Sequence, residues 1–169
     1  MSDLRGKKVG DVKGSAVSHQ FTAAYLAYGG LNWDDVERVE VASFSDGAAA
    51  LMDGRVDAFL SNTNSSAGRK LEASPRGTYF IPVPHDNKKG WDNLNAIIPW
   101  IYRHIATKGP TIPETGVEMG TAPYPSLVTL EDQDVDKAYN MTKAIFEYYP
   151  LYKDSVNGAE GWGIPSQKL

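Results

Sequence analysis

Lys8-Val9-Gly10-Asp11-Val12 is a short extended run, and Lys13-Gly14-Ser15 breaks it. After the break, Val17, Phe21, Ala24, Tyr25 and Tyr28 recur at i, i+4, i+7, i+8 and i+11. That recurrence traces one face of an α-helix. Gly29-Gly30 stops it, because glycine takes the left-handed C-terminal position without steric cost. Strand, glycine turn and helix in direct succession form the unit from which parallel α/β sheets are assembled.

The same alternation continues outward. Val36, Val39 and Val41 alternate with charged residues over 36–42, which predicts a second strand. Asp46 is placed to cap a helix running to about Met52, with Gly54 at its end. Val56, Ala58, Phe59 and Leu60 predict a third strand over 56–60. A third helix begins within 62–66 and must stop before Pro75. Residues 78–83 predict a fourth strand, closed by Pro82 and Pro84. The expected architecture is an α/β lobe with a mostly parallel sheet, helices on both faces and right-handed crossovers.

The pattern changes after Pro84. Residues 85–120 are rich in Pro, Gly and aromatic residues, including Trp91, Trp100 and Tyr102, and read as an irregular cleft or hinge segment with a short helix near 91–98. Residues 121–129 read as an edge or crossover strand, interrupted by Pro123 and Pro125. These elements place the lobe at 1–129. Residues 130–169 then carry a last helix and a tail. In that helix Val135, Ala138, Tyr139, Thr142, Ile145, Phe146 and Tyr149 share a face, Asp134 can cap it and Pro150 follows its end. Asp132, Asp134 and Asp136 suit the helix dipole and are read as capping rather than metal binding.

Composition narrows the function. Hydrophobic residues make up 41 % of the 169 and charged residues 22 %, with formal net charge -4. These are values of a globular chain with a buried core, without the basic stripe of a nucleic-acid binder. The absence of cysteine excludes disulfides, thiolate zinc sites and cysteine nucleophiles. No apolar run is long enough to span a membrane, so no direct insertion is expected. His19, His85 and His104 have no metal-ligand spacing, and no cofactor motif occurs.

Two loops stand where an open α/β sheet collects ligands, at the carboxyl ends of its strands. Gly14-Ser15-Ala16-Val17-Ser18 joins the first strand to the first helix. Helix N-termini present free N–H groups to carboxylates and phosphates, Gly14 admits close backbone approach, and Ser15 and Ser18 add hydroxyls. Ser15 read simply as an N-cap fits the sequence equally. After the third strand come Asn62 and Asn64, within Ser61-Asn62-Thr63-Asn64-Ser65-Ser66. Their amides suit a polar ligand or a turn. Neither G-x-x-x-x-G-K-[ST] nor G-x-G-x-x-G is present.

Several segments, in order, resemble the second lobe of TAXI receptors, the solute-binding proteins of TRAP transporters. Leu4-Arg5-Gly6-Lys7-Lys8-Val9-Gly10 followed by Gly14-Ser15 is similar to the family's opening strand and Gly-Ser turn. Ala49-Ala50-Leu51-Met52-Asp53-Gly54-Arg55-Val56-Asp57-Ala58 resembles its Ala-Leu-x-Asp-Gly-x-Ile-Asp-Ala segment. Tyr124-Pro125-Ser126-Leu127-Val128-Thr129 and Tyr139-Asn140-Met141-Thr142-Lys143-Ala144 resemble later family motifs, as do Tyr152-Lys153-Asp154 and Gly158-Ala159-Glu160-Gly161-Trp162. The resemblance implies a type II periplasmic-binding-protein fold, a small carboxylate or amino acid as ligand, TRAP membrane subunits as partners and a periplasmic location. It carries Gly14, Ser15 and the following amides over as an anion cradle, with Asn62 and Asn64 facing the cleft. Family receptors also have a signal peptide and a first lobe ahead of this segment, so the expectation is a truncated chain whose tail returns towards a missing lobe. The Asp11-Val12-Lys13-Gly14-Ser15 turn departs from the family's Gly-x-Pro-Gly-Ser. Two other readings are an α/β enzyme acting on a small anion, and a self-associating fragment that dimerises through exposed apolar surface.

Overall fold

The computed structural model describes residues 1–63, 65–109, 111–122 and 128–155. The chain divides into one unit over Met1–Pro123 and a second over Tyr124–Leu169.

In the first unit, β1 (Lys8–Val12) lies between β2 (Glu37–Val41) and β3 (Ala58–Phe59), and both neighbours run parallel to it. Successive β1 side chains turn to opposite faces. Asp11 meets α1 (Ala16–Tyr28) through His19. On the other face, Val12 joins a core with Val41, Val56 and Ala50, the last on α2 (Phe44–Met52). The sheet thus carries helices on both faces, and the α/β, binding-protein-like class expected from the sequence is the class observed.

Close approach explains two glycines on the α2 side. A Cβ at Gly10 would stand 2.9 Å from the Phe59 ring, and one at Gly47 would stand 2.2 Å from it. Phe59 therefore fills the space between strand and helix that these residues leave.

The larger core joins α1 to α4 (Lys88–Ile97). It contains Ala24, Tyr28, Val83, Trp91, Leu94, Ile98 and Ile101. Tyr28 Oη (2.7 Å) and Trp91 Nε1 (3.0 Å) both donate to the Pro84 carbonyl, which pins the chain as it leaves the sheet.

Four elements differ from the sequence reading. The α1 face is shifted: Val17 is 62 % exposed, while Leu26 is buried. α2 begins one residue after Ser43, whose Oγ accepts from Asp46 N–H. Asp46 instead sits in the first turn and accepts from Ala42 N–H at 3.0 Å. The fourth strand expected over 78–83 joins no ladder among the described residues. Pro82 has no N–H, and Val83 donates its own to Glu118 at 2.8 Å. Finally, the supposedly irregular segment contains an antiparallel pair, β4 (Tyr102–Ala106) with β5 (Val117–Thr121). The expected strand over 121–129 falls mostly on residues outside those described; Thr121 ends β5. The third helix is α3 (Ser66–Glu72), which stops ahead of Pro75 as expected.

The second unit contains α5 (Val135–Glu147) and α6 (Tyr149–Tyr152). Asp134 caps α5 by accepting from Lys137 N–H at 3.1 Å, so part of the acidic run does serve capping. None of the α5 residues is buried, and its apolar stripe through Val135, Tyr139 and Phe146 is exposed.

Candidate functional site

The turn after β1 is built by local rules. Val12 accepts from Ser15 N–H at 3.0 Å, and Gly14 takes φ +75°, a conformation costly for other residues. Ser15 then caps α1, its Oγ accepting from Ser18 N–H at 3.2 Å. A hydroxyl that accepts in this way keeps its own O–H to donate. Ser18 is fully buried, and its Oγ accepts from Val12 N–H at 3.4 Å. It ties the helix start to the strand end, so its hydroxyl is used inside the fold.

The amides of Ala16 and Val17 have no acceptor among the described residues, and Gly14, Ala16 and Val17 are exposed. A Cβ at Gly14 would meet nothing within 4 Å, so the approach to these amides is open. The α1 first turn contains no acidic side chain. Its neighbour α2 contrasts with it. There the Asp46 carboxylate already sits at the helix start, held below its ordinary pKa first by the Ala42 N–H and then by Arg55. An anion approaching this edge therefore meets partial positive charge at α1 and a resident negative charge at α2.

β3 is parallel and adjacent to β1, so its carboxyl end opens on the same edge, about 4.8 Å across. Asn62 stands there and is exposed. Ser65 Oγ accepts from Gly68 N–H at 3.0 Å and contacts Ser61 Oγ at 3.2 Å, so part of this loop is helix-capping chemistry. Asn64 lies outside the described residues.

Sequence reading missed a polar cluster on the α1 face. Asp11 is 1 % exposed. Its Oδ2 lies 2.8 Å from His19 Nδ1 and accepts from Arg38 Nε at 2.8 Å, while Oδ1 has no partner among the described residues. His19 stacks on Trp33 with centroids 4.9 Å apart, and Arg38 lies 5.8 Å from the same ring. Register makes this possible, because Val9 pairs with Arg38 and Asp11 with Glu40. The hint in the sequence was an aspartate between Gly10 and Val12 in the first strand.

The His19–Asp11 pair has the form of a base with its orienting carboxylate. No serine or threonine hydroxyl approaches His19 within hydrogen-bond distance among the described residues; its contacts are Asp11 and the Trp33 ring. Elsewhere, His85 Nε2 lies 3.2 Å from the Met119 carbonyl oxygen and its ring packs on Trp91. Trp91 is core, whereas Trp100 is half-exposed against Phe21. Among the described residues no group of His, Asp and Glu could hold a metal, and no helix is long and apolar enough to cross a membrane.

No curated protein matches the chain in sequence. The NMT1-like family model, which describes periplasmic substrate-binding proteins, matches residues 1–163, nearly the whole length, and the chain belongs to that family.

Proposed function

We propose that this chain is the substrate-capture component of a TRAP-type transporter of the TAXI kind, acting in the periplasm and binding a small carboxylate or amino acid. Membership of a solute-binding family sets the general role. The observation that favours an anionic ligand is the pair of open amides at Ala16 and Val17, beside a Gly14 that leaves their approach clear. The ligand carboxylate takes these amides and the Ser15 O–H, and Asn62 takes a second polar group. Ser18 positions the helix start without touching the ligand. The proposed role is capture and release of the solute, with no chemical change to it.

The amide edge faces water, so a ligand bound there is covered on one side only. Tight binding needs a second wall closing over it, and the ligand then stabilises the closed state by differential contact. TRAP membrane subunits are the proposed recipients of that closed form.

The test is a thermal-shift panel with glutamate, glutamine, succinate and 2-oxoglutarate, repeated on Gly14→Val. A ligand bound only by the native state must raise Tm. A shift confined to carboxylates and lost in the variant supports the reading. A shift that survives Gly14→Val puts the site elsewhere. Tight binding, with Kd of about 1 µM, by this open edge alone would remove the need for a second wall.

A further inference from the structure

A cavity of about 290 Å³ opens beside β3, and its walls are mostly apolar. Tyr25 and Leu26 of α1, Val56, Phe59 and Leu60 around β3, and Ile81 line it. Its lining includes no residue from Gly14 to Ser18, so it is separate from the amide edge. Burial pushes the Tyr25 hydroxyl up to about 12, so that part of the wall stays uncharged at neutral pH. Charge enters through two exposed residues of the lining, Asp57 and Arg76. Asp57 Oδ2 is engaged, accepting from Lys8 N–H at 2.9 Å. The Arg76 guanidinium lies over Gly54, where an added Cβ would overlap its Nη1. Among the described residues it has no ion pair and no side-chain hydrogen bond.

We propose that this cavity is a second ligand site, taking the apolar tail of a small monocarboxylate whose charged head meets the Arg76 guanidinium at the mouth. Apolar walls with a few placed polar groups are the ordinary make-up of a small-molecule site. An apolar cavity of about 150 Å³ already accepts benzene, so a ring-sized tail fits this one. Water between such walls finds few hydrogen-bond partners, and an apolar group displaces it favourably. The head group follows from charge. Arg76 offers a planar fork of donors that matches a carboxylate and repels a cation. A dicarboxylate would have to place its second charge against Leu26 and Val56, which offer it no partner. The ligand class therefore differs from the polar solutes proposed for the turn at Gly14, and the two sites are tested separately.

The probe is hydrocinnamate, a phenyl ring on a short carboxylate chain, compared with its neutral isostere hydrocinnamamide and with acetate. Methyl resonances of Leu26, Val56 and Leu60 report the cavity, and those of Val17 report the amide edge. Hydrocinnamate should shift the three cavity residues saturably, with Kd of about 1 mM or tighter, and acetate should leave them unmoved. The amide should bind the same residues about five-fold more weakly. Arg76→Gln changes an exposed side chain, and unchanged methyl resonances without ligand would show that its fold is intact. It should weaken hydrocinnamate about five-fold and bring acid and amide to equal affinity, as a direct charge contact requires. No saturable shift at the cavity residues, shifts confined to Val17, equal affinity of acid and amide in the parent, or an acid affinity unchanged in Arg76→Gln would each overturn the proposal.

Discussion

Arg38→Met isolates what a cation contributes to a buried carboxylate in this fold. The substitution keeps most of the aliphatic stem that lies by Trp33 while removing the guanidinium that donates to Asp11 at 2.8 Å. Among the described residues, Asp11 would then be a carboxylate at 1 % exposure with His19 as its one remaining partner and Oδ1 still unpaired. Removing one member of a fully buried pair typically costs about 3–5 kcal/mol. Here the arginine side chain is 44 % exposed and His19 stays in place, so the loss should fall lower, at about 2–3 kcal/mol. Adding Asp11→Asn to the variant removes the uncompensated charge and keeps the shape. The double variant should regain about 1–2 kcal/mol relative to Arg38→Met alone. The assay is urea unfolding at pH 7 followed by far-ultraviolet circular dichroism, with the two variants and the parent compared at constant m. The reasoning fails if Arg38→Met costs less than about 0.5 kcal/mol, or if the double variant is no more stable than the single one.

Gly47→Ala should destabilise by about 1–3 kcal/mol or more, because the new Cβ falls 2.2 Å from the Phe59 ring; Phe59→Leu in the same background should relieve part of the loss, read by urea midpoint. Burial pushes the Tyr25 hydroxyl from 10.0 up to about 12. The folded state therefore holds this proton more tightly, and the stability it confers is complete below pH 10 and lost as pH rises towards 12. In Tyr25→Phe the alkaline fall in urea midpoint should be shallower. Asp46 is depressed, so its contribution is present above the ordinary carboxylate range near about pH 4 and is lost as pH falls through its lower folded value. Asp46→Asn should flatten the acid limb of the stability profile.

Local chemistry made β1, the turn at Gly14 and the end of α1 at Gly29-Gly30 readable, because each depends on residues adjacent in the chain. At α2 the pattern of Ser43 with Asp46 three residues on was available, but the reading took Asp46 as the cap where Ser43 serves. The fourth strand failed for a reason that composition does not reveal. Residues 78–83 have strand-type side chains, but Pro82 donates nothing and Val83 gives its N–H to β5, a partner 35 residues further along. β5 and its companion β4 were hidden in turn by their own polarity. Tyr102, Arg103 and His104 are all exposed, so no alternation of buried and exposed side chains marks the strand.

The candidate site was legible to a different degree, and Ser15 and Ser18 show why. Both are serines at the start of one helix, three residues apart, and both were open to a ligand-binding reading. Their roles separate through contacts with β1. Ser18 turns into the sheet and accepts from Val12 N–H, while Ser15 remains at the partly exposed rim with its O–H available. Asp11, His19 and Arg38 were less legible still, because they meet only once β1 and β2 pair in the observed register. The distribution of charge follows the same logic. Asp11 lies inside with the Arg38 guanidinium, Asp46 neutralises the start of α2, and the first turn of α1 has no acid of its own. The open amides of Ala16 and Val17 are therefore the helix-start positive charge at this edge that the described chain leaves unanswered, and an anionic solute is the chemistry that would answer it.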